Sequence, residues 1–75
     1  DESTAVVEGM LVARRASKSA SNVFLVDADT LPQTKSVLEH RASALGIQVQ
    51  YWSYEMSTPP SDLDVFGAFI QLSGL

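Results

Sequence analysis

Asn22 to Thr34 reads NVFLVDADTLPQT, and this stretch decides the fold class. Val23, Phe24, Leu25 and Val26 are an unbroken β-branched and aromatic run, the pattern of a strand buried on both faces. Asp27 and Asp29 close the run with short polar side chains suited to a turn. Thr30 with Gln33 has capping-box spacing, and Pro32 in the first helical turn costs no hydrogen bond, so a helix over about 31–45 is predicted. Thr34, Val37, Leu38, Arg41, Ala42 and Leu45 form its expected inward stripe, with the Arg41 stem lying along apolar surface. Gly46 is placed to end it.

Outward from this unit, Ile47 to Trp52 alternates. Ile47, Val49 and Tyr51 share one face and Gln48, Gln50 and Trp52 the other, as in a half-exposed strand near a sheet edge. Strand, helix and strand in this spacing form a βαβ unit, whose crossover is expected to be right-handed. Upstream, a helix over 4–18 carries Val6, Met10 and Ala13 on one stripe, with Val7 and Leu11 beside it. Asp1 and Glu2 at its start and Arg14, Arg15 and Lys18 at its end complement the helix dipole. Gly9 inside it costs about 1 kcal/mol against Ala, a cost that close approach to another backbone would explain. Ser17 to Ser21 is the turn out. Downstream, Pro59 and Pro60 forbid regular structure through 53–64. The apolar run 65–72 is then a third, buried strand in which Gly67 marks close packing.

The fold class expected is therefore α/β: helix, strand, helix, strand, loop, strand, with a mainly parallel sheet. At 75 residues the chain holds one small domain, burying roughly 60 to 65% of its unfolded surface. A parallel sheet needs cover on both faces, which three strands and two helices do not easily supply, so 1–75 is expected to be one partial domain of a larger protein. A formal net charge of -4 argues against nucleic acid or an anionic membrane as the main partner. No apolar run approaches the roughly 20 residues of a membrane span. With no cysteine there is no disulfide framework or thiolate metal site.

Several groups have chemical possibilities. Asp27 and Asp29 beyond a buried strand suit turn and capping roles, and they also resemble the acidic pocket of phosphorelay receiver domains. A receiver needs a further acceptor Asp at the end of its third strand, where this chain has Gln71, Leu72 and Ser73. His40 lies mid-helix beside Glu39 and Arg41 with no second ligand type one turn away, which fits a solvated face rather than a metal site. Tyr51, Trp52 and Tyr54 cluster near a strand end and suit packing or stacking on a ligand. No Ser-His-Asp or Cys-His set can be assembled. The segment Asp1 to Ala5 is a polar turn feeding a helix of small residues. Free N–H groups and the Ser3 and Thr4 hydroxyls there suit either an ordinary cap or a phosphate.

Four blocks, DESTAVVEGMLVARRASKS, NVFLVDADTLPQT, EHRASALGIQV and DVFGAFIQLSG, resemble in order and spacing the glycine decarboxylase P-proteins of the glycine cleavage system. The likeness lies with their N-terminal half, or the separate subunit one, and covers nearly the whole chain outside about 53–63. It implies a fragment of a fold-type-I pyridoxal-phosphate enzyme, whose large domain carries the cofactor on a parallel sheet. Such an enzyme decarboxylates glycine and passes the aminomethyl group to the lipoyl arm of the H-protein. The matching positions at the cofactor phosphate are Glu2, Ser3 and Thr4. Ser3 stands where that family usually has Gly, and its Cβ bears on close backbone approach. Neither Lys18 nor Lys35 matches the motif of the Schiff-base lysine, so the segment alone is expected to be inactive and to hold no catalytic residue. Partners implied are the C-terminal half or subunit two, in a homodimer or heterotetramer, and the H-protein. The setting implied is the bacterial cytoplasm, or the mitochondrial matrix for a eukaryotic source. The resemblance also orders the sheet, with 22–27 between 47–52 and 65–72. A non-catalytic α/β binding or receiver-like module is the competing class.

Overall fold

The computed structural model describes residues 2–54, 59 and 62–70. Helix α1 (Glu2–Ala16) is followed by strand β1 (Val23–Asp27), helix α2 (Pro32–Ala44), strand β2 (Gln48–Trp52) and strand β3 (Gly67–Phe69). The sheet order is β2-β1-β3, and β1 pairs parallel with both neighbours. The first strand is central and β2 is at an edge, as the alternating glutamines indicate: Gln48 and Gln50 are exposed while Phe24 to Asp27 are all buried.

Both helices pack on one face of the sheet, the face carrying Phe24 and Val26. Val6, Val7 and Met10 of α1 meet Leu38 and Ala42 of α2, together with Phe24, Val26, Ile47 and Phe66, in one apolar cluster. The Phe24 and Phe66 rings stack with centroids 5.4 Å apart. Leu25 is buried outside that cluster, on the opposite face.

The termini of α1 correct the expected range of 4–18, because the helix runs from Glu2 to Ala16. Its end is set by serines. Ser17 Oγ accepts the Ser19 N–H, Ser19 Oγ the Ser21 N–H, and Ser21 Oγ the Val23 N–H. Each serine offers its neighbour a local partner in place of the helical carbonyl, so the chain leaves the helix and steps into β1. The same linker holds the chain before β3, since Ser19 Oγ donates to Asp64 Oδ1 and Ser21 Oγ to the Asp64 carbonyl.

At α2 the expected Thr30 cap is also corrected. The N-cap is Leu31, at φ -56 and ψ 141, with no side-chain cap. A residue before proline is held out of the helical region, so Pro32 fixes the start one residue later than a Thr30 cap requires. The C-terminus follows expectation closely. Gly46 has φ +73, its N–H bonds the Ser43 carbonyl, and the Ile47 N–H bonds the Ala42 carbonyl at 2.9 Å. That pair of bonds is a Schellman motif, sealed by Ile47 and Ala42 within the core. Arg14 from the last turn of α1 donates to the Leu45 carbonyl at 3.0 Å, so the two helices also meet at their C-terminal ends.

Three packing expectations change. Only Thr34, Leu38 and Ala42 of α2 are buried; Val37, Arg41 and Leu45 are exposed, because a single i, i+4 stripe suffices against so narrow a sheet. Gly9 has nothing within 4 Å of an added Cβ, so no close backbone approach offsets its helical cost. The third strand is shorter than 65–72. Val65 and Phe66 lead into it, Phe66 bonding the Val23 carbonyl, and residues 71 and 72 lie outside those described. Gly67, by contrast, is as close-packed as expected: an added Cβ would stand 3.0 Å from Ala13 Cβ.

Candidate functional site

β1 runs toward Asp27 and hands directly to the turn before α2, while α1 lies beside α2 in the same direction. Both helix starts therefore gather at the carboxyl end of the sheet, where open α/β folds characteristically bind ligands. A hydrogen bond joins them: Ser3 Oγ lies 3.1 Å from Thr34 Oγ1. Thr34 is 1% exposed, Ser3 is half-buried and Thr4 is exposed. Of the three expected phosphate residues, Ser3 and Thr4 thus sit together in the first turn of α1. The side chain of Glu2 lies outside the described residues.

The strand-end turn is built by Asp27, 4% exposed. Its Oδ1 accepts the Asp29 N–H at 3.0 Å, and its carbonyl accepts the Thr30 N–H. That supports the turn role for this carboxylate pair. The Ala28 N–H bonds the Trp52 carbonyl, extending the ladder past β1. Tyr54, just after β2, has its phenol pKa raised, first by burial and then by the charge of Asp27.

Thr30 was legible only as a cap and is something else. It is 2% exposed, and its Oγ1 has no hydrogen-bond partner among the described residues. A buried hydroxyl without a partner costs roughly 1 to 3 kcal/mol, so Thr30→Val is expected to raise stability by about 1 kcal/mol. An upward shift of the urea midpoint at unchanged slope checks this; a downward shift would mean the hydroxyl is satisfied.

The aromatic cluster separates. Tyr51 turns toward α2, where its hydroxyl donates to Glu39 Oε2 and Lys35 Nζ stands 5.1 Å from its ring centroid. Tyr51 and Glu39, with Ala42, Ser43, Ile47, Gln48 and Val49, line an open groove of about 580 Å³. The groove lies along the later half of α2, away from the helix starts. Burial, then the hydrogen bond and charge of Glu39, push the Tyr51 pKa above its ordinary 10.0. The folded chain therefore keeps a proton that the unfolded chain loses, so stability falls as pH rises past about 10. Tyr51→Phe should flatten that alkaline decline; an unchanged slope from pH 9 to 11 would refute it. His40 is exposed. Among the described residues no three His, Cys, Asp or Glu are grouped as metal ligands, and no helix is long and apolar enough to cross a membrane.

The observation that decides the family is the extent of its match. The model of the glycine cleavage system P-protein family matches residues 1–75, the whole chain. The chain belongs to this family. It is 46% identical over 77 residues to glycine dehydrogenase (decarboxylating) of Rhizobium johnstonii, an alignment spanning 99% of the chain and 8% of that protein. The protein of the same name from Cereibacter sphaeroides is 49% identical over 74 residues, 99% of the chain and 7% of the relative. That from Gluconobacter oxydans is 44% identical over 77 residues, again 99% and 8%. The chain thus spans less than a tenth of the length of these P-protein relatives. Within the family, the α/β character and small parallel sheet are those read from the sequence.

Proposed function

We propose that residues 1–75 are a segment of the large domain of a fold-type-I, pyridoxal-phosphate-dependent glycine decarboxylase. The complete enzyme decarboxylates glycine and passes the aminomethyl group to the lipoyl arm of an H-protein. The observation that carries this reading is the match along the whole chain to relatives named glycine dehydrogenase (decarboxylating). The strand order β2-β1-β3, all parallel, supports the large-domain assignment.

The segment's work is to hold helix starts at the carboxyl end of the sheet. Backbone N–H groups in the first turn of α1, with the Ser3 and Thr4 hydroxyls, hold the cofactor phosphate, aided by the helix dipole. The Thr30 hydroxyl at the same end, without a partner among the described residues, fits a polar ligand there. When bound, pyridoxal phosphate supplies the electron sink for loss of the carboxylate. The lysine that anchors it belongs to another part of the protein. Lys18 is exposed beyond the far end of α1 and Lys35 is engaged with Tyr51. The segment alone is inactive, and its partners are the remainder of the P-protein and the lipoyl H-protein, in the cytoplasm of a bacterium.

Loading the full-length protein with pyridoxal phosphate tests this. A visible cofactor band that changes on addition of glycine, and not of larger amino acids, is expected. A protein that takes up no cofactor, or whose band ignores glycine, overturns the reading.

A further inference from the structure

We infer that the outer edge of β2 and the groove beside it take an extended segment of the same protein from outside residues 1–75, added to the sheet as a further strand. In the parallel ladder the Gln48 N–H bonds the Asn22 carbonyl, and the Trp52 carbonyl accepts the Ala28 N–H. Gln48, Gln50 and Trp52 therefore aim their backbone groups at β1, while Val49 and Tyr51 aim theirs the other way. β2 is the outer strand of the β2-β1-β3 order, so among the described residues those N–H and C=O groups meet no strand. The edge also lacks the usual protection. Its sequence, QVQYW, has no charge and no proline, and its residues pair with β1 in unbroken register, without a bulge. Edges that stay in solvent are ordinarily blunted by such devices, and an edge without them is a template for another strand.

The groove sets the chemistry of the occupant. Val49 and Tyr51 are half-buried and lie on the same face of the sheet as their partners Phe24 and Val26. Their side chains, with Glu39 and Ser43 of α2, are among those that line the groove. A strand laid along β2 sends alternate side chains to that face. They enter the groove while the backbone pairs with the edge, so that main-chain bonds give affinity and side-chain pockets give selectivity. Ala42, Ile47 and Val49 make part of the wall apolar, which suits an apolar side chain. Glu39 has the only charge among the lining residues. It is exposed, and its Oε2 accepts one hydrogen bond, from Tyr51. The carboxylate keeps further acceptor sites for a Lys or Arg of the added strand. Residues 1–75 span 8% of the Rhizobium johnstonii relative, so most of a P-protein lies outside them. A strand from the same chain is held near the edge at high effective concentration.

The test uses the full-length protein, with a photoreactive benzophenone amino acid replacing Ser43 and amide hydrogen exchange read residue by residue. Irradiation is expected to join position 43 to one peptide of the same chain outside residues 1–75, with a Lys or Arg beside apolar residues. The Val49 and Tyr51 amides should exchange about 100-fold more slowly than those of an open edge, at every protein concentration. Gln50, whose amide faces β1, is the internal reference. Glu39→Lys should speed exchange at Val49 and Tyr51 about tenfold and leave Gln50 within about twofold. Where Gln50 also speeds, Glu39→Gln, which keeps the side-chain shape, makes the same comparison. Fast exchange at Val49 and Tyr51 beside a protected Gln50 overturns the added strand. Protection that fades on dilution, a cross-link between two copies, or protection gained only with H-protein present puts a different occupant on the edge and overturns it too. Exchange at Val49 and Tyr51 that no Glu39 variant changes overturns the basic residue.

Discussion

Truncating Leu38 to Ala is expected to lower the stability of this segment by about 2 to 5 kcal/mol. Leu38 is 0% exposed and sits where α2 meets the sheet and α1. Its neighbours in the α2 stripe are Thr34 and Ala42, both too small to move into the space it leaves. The cavity would stay open, adding a packing loss to the lost transfer free energy. A whole domain is stable by only about 5 to 15 kcal/mol, so this one change takes a large share. Hydrogen exchange of the β1 amides, measured in the protein that carries the segment, reads the effect directly. A loss of protection matching that free energy is the expected result. Unchanged protection would mean that α2 does not secure the central strand.

The second large effect comes from adding a single carbon. In Gly67→Ala the new Cβ stands 3.0 Å from Ala13 Cβ and 3.3 Å from the Phe24 ring. Neither is the loose end of a flexible chain. Ala13 is fixed to the α1 backbone, and Phe24 is stacked on Phe66 in the core. Relief requires α1 to lift from β3, at a cost of about 1 to 3 kcal/mol. Ordinarily Gly to Ala stabilises slightly by restricting the unfolded chain, so the sign of the change decides. Pairing it with Ala13→Gly removes the closest contact, and the double variant should lose less than the two single losses combined. A Gly67→Ala variant more stable than the parent would show that α1 does not press on β3 as described.

What the sequence made legible is what periodicity and special residues encode. The run Val23 to Val26 could be a central buried strand and little else. The glutamines at 48 and 50 marked an edge, and Gly46 marked a helix end whose two hydrogen bonds complete the motif. Less legible were features that depend on what lies across space. Thr30 looked like a cap because capping chemistry is local, but Pro32 displaced the start and left a buried hydroxyl behind. Val37 and Leu45 looked inward because they are apolar, while the narrow sheet needed only Thr34, Leu38 and Ala42. Gly9 and Gly67 are alike as letters; only packing distinguishes the open one from the crowded one. The Ser3–Thr34 bond spans two helices, and no local pattern announces it. Ser3 and Thr4 were visible as a helix start, yet the residue behind Ser3 came from structure alone.

The most direct test of the central claim is the glycine-dependent exchange of labelled bicarbonate by the full-length protein, with lipoylated H-protein present. The account predicts label entering the glycine carboxyl group, dependent on pyridoxal phosphate and absent for residues 1–75 alone. A cofactor-loaded, folded full-length protein that exchanges no label in the presence of H-protein would contradict it.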